Sequence, residues 1–227
     1  MTPKLFRRLN FSDVLLYGIT SFAKDEATML EKVDAMLRGG IDALQLRGYG
    51  GMDREMIALG RKLKDRCEKA GALFIVNNRV DVALATGADG VHLGHNDMPV
   101  GVARDILGHR KIIGASTHSL NQALDAQKAG ADYVSCGPIW ATPTKPGYPE
   151  VGLSLIGLYK AALRIPFVVI GSIDESTIDD VVAAGAPCVA VVRALFDASD
   201  PAEAAQRFRE KVRLNRQQAA VRLEEKK

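Results

Sequence analysis

Short apolar runs alternate with longer segments of helical spacing along the whole chain. The apolar runs are predicted strands, because short continuous runs of this kind fit strands that are buried on both faces. They cover residues 15–20, 43–47, 73–76, 90–93, 111–115, 133–136, 167–170 and 188–192. The segments between them are predicted helices at residues 29–37, 55–70, 80–86, 100–107, 120–129, 153–163 and 178–184, and a terminal helix begins at Asp200-Pro201.

Eight such strands alternating with helices within 227 residues predict an α/β fold, a single (β/α)8 TIM barrel. A doubly wound sheet shares the alternation, but eight units in this length favour a closed barrel. The barrel is expected to use residues 1–227 as one domain. The last helix turns polar from about residue 207, and we expect that part to be a solvated tail rather than a nucleic-acid or membrane-binding helix.

A repeated turn supports the barrel. Gly40, Gly87, Gly130 and Gly185 each end a predicted helix and recur every 43 to 55 residues, about two strand–helix units. Glycine suits a left-handed helix end, and in three of the turns an aspartate follows two residues later: Asp42, Asp89 and Asp132. These turns lie on the N-terminal face of a barrel, so the three acids are predicted to be structural.

Composition narrows the class of protein. The net charge of +3, from 30 basic and 27 acidic residues, is too balanced for a nucleic-acid binder and compatible with an anionic small molecule. Cys67, Cys136 and Cys188 lie far apart without a CxxC pair, which predicts reduced core thiols in a cytoplasmic protein. The apolar run at residues 14–17 is too short for a signal or spanning segment, so no membrane partner is expected. A homo-oligomer stays open.

Polar residues collect where the predicted strands end. In a parallel barrel these ends form one rim, which carries function. The rim is rich in amides, hydroxyls and cations, and Asp97 is the one acid that we place there. This chemistry suits an anionic ligand and argues against hydrolysis by paired carboxylates. The predicted substrate-binding residues are Gln45, Arg47, Asn77, Ser116, Thr142, Thr144, Lys145, Gly171, Ser172, Val192 and Arg193.

The loop after predicted strand six carries Thr142, Thr144 and Lys145 between two prolines. Two hydroxyls and an ammonium group on one stiff loop suit a phosphate or diphosphate. On local pattern alone, an ordinary surface loop is an equally good interpretation.

Other rim positions also have two interpretations. Asn77 and Asn78 could bind a ligand or form a plain turn, and Asp97 could bind a metal or cap the helix that follows. His92 and His95 resemble a metal pair only superficially, because on a strand these positions face opposite ways.

Predicted strands seven and eight end in Gly171-Ser172 and Val192-Arg193. These turns are the usual location of a phosphate site in this fold. Backbone amides from both turns would bind the phosphate, with the Arg193 guanidinium as a forked donor. The rim therefore offers two anion sites, one around Arg47 and one at these turns.

Taken in order, several motifs resemble the thiamine-phosphate synthase and TenI family. They are Gln45-Leu46-Arg47, Asn77-x-Arg79, the run from Gly87 to Gly94, Asp97, Gly114-Ala115-Ser116-Thr117-His118, the run from Gly130 to Val134, and the run from Gly137 to Lys145. They extend over nearly the whole barrel, so the resemblance is specific.

The resemblance implies that hydroxymethylpyrimidine diphosphate and thiazole phosphate are joined with release of diphosphate, assisted by Mg²⁺. Gln45 and Arg47 would contact the pyrimidine diphosphate, and Ser116 would lie near the leaving diphosphate. Arg47, Ser116 and Lys145 are thus the implied catalytic residues, and Asp97 and Asn78 the implied metal ligands. The turns at Ser172 and Arg193 would take the thiazole phosphate.

Four positions depart from the synthase pattern. Tyr49 stands where a lysine is expected, and Asn78 stands where an acid is expected; a neutral amide is a poorer ligand for a hard cation. Ser172 replaces a glycine, and Arg193 replaces a serine. Two alternatives to a synthase therefore stay open: a TenI-like thiazole tautomerase, although its histidine position is Pro138 here, and a non-catalytic thiamine-related binding or regulatory protein.

Overall fold

Eight strands close into one parallel barrel within the part of the chain that the computed structural model describes, namely residues 10–21, 25–47, 52–142, 147 and 149–224. The strands are β1 Leu16–Ile19, β2 Ala43–Leu46, β3 Leu73–Asn77, β4 Gly90–Leu93, β5 Ile112–Thr117, β6 Tyr133–Cys136, β7 Phe167–Ile170 and β8 Val189–Val191. Each pairs with its neighbours in chain order, and β8 pairs with β1. The predicted (β/α)8 barrel is confirmed.

Helices surround the barrel. They are α1 Glu26–Arg38, α2 Asp53–Ala70, α3 Val80–Thr86, α4 Val100–Leu107, α5 Leu120–Lys128, α6 Ser154–Ala162, α7 Ile178–Ala183, α8 Arg193–Phe196 and α9 Pro201–Glu224, preceded by a 3₁₀ helix at Phe11–Asp13. The first helix begins earlier than its apolar pattern indicates, because the Asp25 carboxylate accepts a hydrogen bond of 2.8 Å from the Thr28 amide and caps it. The short helix α8 was not predicted. None of the helices described is long and apolar enough to cross a membrane.

The strands send alternate residues to two separate cores. On β4, Val91 and Leu93 belong to the outer core between the barrel and the helices, while His92 is buried inside the barrel. On β6, Val134 faces the outer core and Tyr133 the barrel interior. The three cysteines are unpaired and buried, as expected of core thiols.

The N-terminal end of the barrel is filled by aromatic rings. The Phe11 ring from the 3₁₀ helix stacks on Tyr133, with centroids 3.6 Å apart and planes 7° from parallel. Tyr17 meets Phe11 edge-on at 5.8 Å. On the neighbouring strand Gly114 leaves room for Tyr133, because a Cβ there would lie 2.1 Å from the Tyr133 Cζ. These three rings fill the barrel below the carboxyl ends of the strands, and we call them the aromatic floor.

The three repeated aspartates lie on this N-terminal face and are structural, as predicted. Their carboxylates accept hydrogen bonds of 2.7 to 3.1 Å from strand amides, namely Leu15 and Leu16 for Asp42, Phe74 for Asp89 and Ile113 for Asp132. Each also pairs with a cation, respectively Arg209, Lys64 and Arg104. The preceding glycines have positive φ angles of 90°, 71° and 92°.

The last helix differs from its predicted form as a solvated tail beyond residue 207. Phe208 and Val212 are fully buried, and the Asn215 side chain donates a hydrogen bond of 2.6 Å to the Val182 carbonyl. The Asp200 carboxylate caps the helix by accepting from the Ala202 amide at 2.9 Å. Two buried residues four positions apart are enough to seat a helix whose other faces are charged. α9 therefore packs on the barrel past residue 207.

Candidate functional site

A cavity of about 460 Å³ opens at the carboxyl ends of the strands, above the aromatic floor. This size is typical of a site for a small molecule. Its lining includes nine of the predicted site residues, Gln45, Arg47, Asn77, Ser116, Thr142, Gly171, Ser172, Val192 and Arg193. The barrel thus brings residues from six different strand ends to one cavity.

Strand β2 contributes Gln45 and Arg47. Gln45 is buried, and its Nε2 donates a hydrogen bond of 2.8 Å to the Tyr17 hydroxyl. The backbone of Arg47 is held by Thr20, whose Oγ1 accepts from the Arg47 amide at 2.8 Å and donates to the Arg47 carbonyl at 2.6 Å. Burial lowers the pKa of the Arg47 guanidinium, which still remains a cation at neutral pH. A half-buried arginine on a fixed backbone is a strong candidate for binding an anion.

The two asparagines at the end of β3 differ from each other. Asn77 lines the cavity, whereas Asn78 is exposed, has a φ of 64° and does not line it. The Asn78 amide donates a hydrogen bond of 2.8 Å to the His92 carbonyl of β4, and the chain turns there toward α3, with the Arg79 amide donating to the Asn77 carbonyl at 2.8 Å. Asparagine tolerates this left-handed conformation better than most residues. The two interpretations thus apply to different residues: Asn77 faces the cavity, and Asn78 lies in the turn.

Asp97 does not cap the helix that follows it. Helix α4 has Pro99 at its N-cap, and the Asp97 carboxylate instead accepts a hydrogen bond of 2.6 Å from the Gly94 amide. Asp97 lies outside the cavity lining. Among the described residues, no group of three or more acids, histidines or cysteines is placed to hold a metal ion. A metal role for Asp97 and Asn78 stays a prediction.

The expectation of a single rim acid is wrong, because Asp174 after β7 also lines the cavity. Its carboxylate accepts hydrogen bonds from the Ser176 amide at 2.9 Å and the Ser176 hydroxyl at 2.6 Å, which lower the pKa of the acid. The acid is therefore ionised at neutral pH and is engaged in its own turn.

Strand β5 brings Ser116, its second-last residue, to the cavity, and His118 just after the strand also lines it. The His118 Nδ1 lies 2.5 Å from the Gly137 carbonyl at the start of the β6 loop. The His118 amide donates to the Gln122 side chain at 2.7 Å. His118 thus links the β5 and β6 loops.

The loop after β6 is described only in part. Thr142 lines the cavity, while Thr144 and Lys145 lie outside the described residues, as does Tyr49. Ser172 at the end of β7 donates a hydrogen bond of 2.6 Å to the Ala141 carbonyl. The serine that replaces a glycine in the family pattern therefore connects the β7 turn to the beginning of this loop.

The turns after β7 and β8 line another part of the cavity. Gly171 has a φ of 117°, and a Cβ there would lie 2.5 Å from the Ile139 amide nitrogen, so only glycine fits. Ser172 has a φ of 51°, which is unfavourable for a serine. Val192 lines the cavity, and Arg193 begins α8 with an exposed side chain. The two turns lie side by side, because β7 pairs with β8.

Sequence reasoning missed the floor of the cavity. Tyr17 and His92 line it, and Tyr133 lies buried between them in a continuous set of hydrogen bonds. Burial raises the pKa of both tyrosine hydroxyls, so they stay protonated. The available signal was a polar atom at an inward position of an otherwise apolar strand, which needs a partner inside the barrel.

Fold and site together define a (β/α)8 barrel with a small-molecule cavity at its C-terminal rim. Residues 16–195 match the family described as thiamine monophosphate synthase. The chain belongs to this family.

Individual relatives agree. The chain is 45% identical over 183 residues to a thiamine-phosphate synthase from Chlorobium luteolum, covering 80% of this chain and 86% of the relative. It is 46% identical over 201 residues to a thiamine-phosphate synthase from Thermosynechococcus vestitus, covering 88% of this chain but 56% of that longer protein. A solved structure of thiamine phosphate pyrophosphorylase from Pyrococcus furiosus superposes with a TM-score of 0.82 at 37% identity, covering 91% of this chain and 99% of the other.

Proposed function

We propose that the protein is a thiamine-phosphate synthase: a transferase that joins hydroxymethylpyrimidine diphosphate to thiazole phosphate and releases diphosphate. The thiazole nitrogen forms a bond to the exocyclic carbon of the pyrimidine, and the bond from that carbon to the diphosphate oxygen breaks. The family and the names of the relatives favour this activity over the tautomerase and the non-catalytic alternatives.

One observation carries the proposal: two groups of residues suited to anions line a single cavity. Arg47 on β2 and Ser116 on β5 form one group, and the turns at Ser172 and Arg193, after the adjacent strands β7 and β8, form the other. A reaction between two phosphorylated substrates needs two such groups around one space. Holding both reactants in one cavity converts a bimolecular step into one between neighbours.

Arg47 from β2 and Ser116 from β5 would bind the diphosphate. The Arg47 guanidinium can donate two parallel hydrogen bonds to phosphate oxygens, and partial burial strengthens this interaction. The Ser116 hydroxyl would donate to the leaving oxygen, where negative charge grows during bond breaking. Thr142 would add a hydroxyl from the β6 loop, and Thr144 and Lys145 are predicted to join it.

The turns after β7 and β8 would bind the thiazole phosphate. Gly171 lets the β7 turn lie directly against the β6 loop, because a side chain there would collide with that loop. The first amides of a helix have no partner within the helix, so the amides near Arg193 can donate to a phosphate. The Arg193 side chain supplies a cation at a place where the family pattern has a serine.

The donor set around Asp97 fits Mg²⁺ only in part. Mg²⁺ prefers oxygen ligands and commonly uses one or two carboxylates together with substrate phosphates and water. Asp97 offers one carboxylate, which already accepts from the Gly94 amide, and Asn78 could offer a neutral carbonyl. When bound with the diphosphate, the ion would neutralise charge on the leaving group. We therefore expect Mg²⁺ to bind together with the diphosphate substrate rather than to the protein alone.

The decisive experiment supplies the purified protein with both substrates and saturating Mg²⁺. Thiamine phosphate is measured by chromatography and diphosphate by a coupled assay. We expect the two products in equal amounts, and we expect both to be lost when a chelator removes the metal.

A control with the thiazole phosphate omitted separates synthesis from simple hydrolysis of the diphosphate. Absence of thiamine phosphate at saturating Mg²⁺ would overturn the proposal. Calorimetry with each substrate would then show whether the chain only binds them.

A further inference from the structure

A continuous chain of five polar side chains runs through the interior of the barrel. The Gln45 Nε2 donates to the Tyr17 hydroxyl at 2.8 Å, and the Tyr17 hydroxyl lies 3.1 Å from that of Tyr133. The Tyr133 hydroxyl lies 3.0 Å from the His92 Nδ1, and the His92 Nε2 lies 3.0 Å from the Ser116 Oγ. We call Gln45, Tyr17, Tyr133, His92 and Ser116 the buried polar chain.

The Gln45 Nε2 can only donate, so the Tyr17 oxygen accepts in this bond. Either tyrosine can be the donor in the next bond, and the direction that continues from Gln45 has Tyr17 donating to Tyr133. In that direction Tyr133 donates to the His92 Nδ1, which is then unprotonated. A neutral imidazole with a bare Nδ1 carries its proton on Nε2, and that proton is donated to the Ser116 Oγ.

We propose that the buried polar chain holds His92 in the Nε2–H tautomer and thereby orients the Ser116 hydroxyl as a donor into the cavity. His92, Tyr133 and Tyr17 are then positioning residues that act through Ser116. Because the His92 N–H occupies an acceptor site of the serine oxygen, the serine proton is left to donate elsewhere. This inference rests on the proposed function only in that the acceptor is a leaving diphosphate oxygen.

The packing around the chain keeps this arrangement in place. Tyr17 and Tyr133 are fully buried, Phe11 stacks on Tyr133, and Gly114 provides the space that the Tyr133 ring occupies. No ion is buried by the chain, so the arrangement avoids the cost of desolvating a charge. Hydrogen bonds in series in a low-dielectric interior also strengthen one another.

The first test reads the tautomer directly. The protein is labelled with ¹⁵N-histidine, and the His92 signals are assigned by their loss in His92→Gln. Two-bond nitrogen–proton correlation spectra distinguish the two tautomers. We expect the Nε2–H form in the wild-type protein and a mixture of both forms in Tyr133→Phe, which removes the partner of Nδ1. The Nδ1–H form in the wild type would mean that His92 donates to Tyr133, and would overturn the proposal.

The second test is kinetic. Tyr133→Phe is expected to lower kcat roughly 3- to 10-fold with little change in KM, because one orienting hydrogen bond is lost while substrate contacts stay. Ser116→Ala should lower kcat roughly 100-fold, as removal of a donor to a growing negative charge does elsewhere. In the Ser116→Ala background, Tyr133→Phe should add almost nothing, because its effect passes through the serine.

Tyr159→Phe is the matched control. Tyr159 is also fully buried, and its hydroxyl contacts the Thr117 Oγ1 and the Ser119 carbonyl at 2.9 Å each, next to Ser116 but outside the buried polar chain. It should lose stability as Tyr133→Phe does, with the His92 tautomer and kcat unchanged. An equal fall of kcat in both variants would show a general packing effect and overturn the positioning role.

The two tests separate this inference from the proposed function. The tautomer is read without substrates, so an inactive protein with the Nε2–H form would overturn the synthase activity and leave the chain's direction established. An active synthase with the Nδ1–H tautomer, and with an unchanged kcat in Tyr133→Phe, would overturn this inference and leave the synthase activity established.

Discussion

The two ends of the barrel use their polar and charged residues for different purposes. At the N-terminal end Asp42, Asp89 and Asp132 are each matched by strand amides and by a cation. At the C-terminal end cations and hydroxyls, with Arg47 and Ser116 foremost, line a cavity. The acids of the first rim hold the scaffold together, and the residues of the second rim line a space that can take a ligand.

This difference teaches where to look for function in a barrel of this kind. An acid that repeats with the architecture and accepts from backbone amides belongs to the scaffold. A cation on a fixed backbone beside a cavity is placed to bind a ligand there. Substitutions at the two rims should therefore separate cleanly into effects on activity and effects on stability.

Arg47→Ala should produce the largest effect on the functional rim. We expect kcat/KM to fall roughly 100-fold or more, because a partly buried cation that pairs with phosphate is removed. Steady-state kinetics measure this, and Arg47→Lys should recover only part of the activity, since lysine lacks the planar fork. Unchanged thermal stability is expected for both variants. A loss of folding instead of activity would break the comparison between the rims.

Asp42→Ala should test the scaffold rim. The Asp42 side chain is only 12% exposed, and it accepts from the Leu15 and Leu16 amides and pairs with Arg209. Its removal leaves two amides without their acceptor, so the free energy of unfolding should fall by about 2 kcal/mol. Urea denaturation measures the loss, and Asp42→Asn should lose less because it keeps one acceptor oxygen. The folded protein should keep its kcat.

Ser172 lies between the two categories, because it has a strained backbone and a hydrogen bond to the β6 loop. Ser172→Ala keeps the φ of 51° and loses the bond, whereas Ser172→Gly loses the bond and relieves the strain. The glycine variant should therefore be more stable than the alanine variant by about 1 kcal/mol. Both should raise the KM for the thiazole phosphate severalfold, because the lost bond joins the β7 turn to the beginning of the β6 loop. Equal stability of the two variants would mean that the turn is unstrained.

Arg79 is expected to give the smallest effect and to sharpen the comparison. This rim cation is already paired with Asp53 and Asp81 at 2.9 and 2.6 Å, and the bonds lower the pKa of both carboxyls. At pH values above the ordinary carboxyl pKa of about 4, such pairs stabilise the folded state. This stabilisation is lost as the pH falls through the lowered pKa values of the two carboxyls. In Arg79→Ala, NMR titration should show both pKa values returning upward, while kcat/KM changes far less than in Arg47→Ala.

Most of the architecture could be predicted from the sequence, because strands covered on both faces and the helices between them leave a local pattern. The bounds of α3, α4, β4, β6 and β7 agree with the structure. Nine of the candidate residues line the cavity, since strand ends in a parallel barrel must meet at one rim. The start of a helix differs from its predicted position where a capping residue sets it, as Asp25 does for α1.

The floor of the site could not be predicted in the same way. The Tyr17 and Tyr133 hydroxyls meet inside the barrel although 116 residues separate them in the chain. Read as apolar runs, β1 and β6 indicate strands but do not show which of their residues share the interior with His92. The acid Asp174 was missed because its turn, rather than the strand pattern, brings it to the cavity.

The amino-acid sequence by itself determined the barrel, the rim and the family, because periodicity, turn chemistry and motifs act over a few residues at a time. Only the tertiary structure decided which polar atoms become partners: that Asp97 accepts from Gly94, that Ser172 reaches Ala141, and that Gln45 is linked to Ser116 through the barrel. A hydrogen bond depends on distance in space, and closing the barrel sets distances between strands that local pattern does not contain.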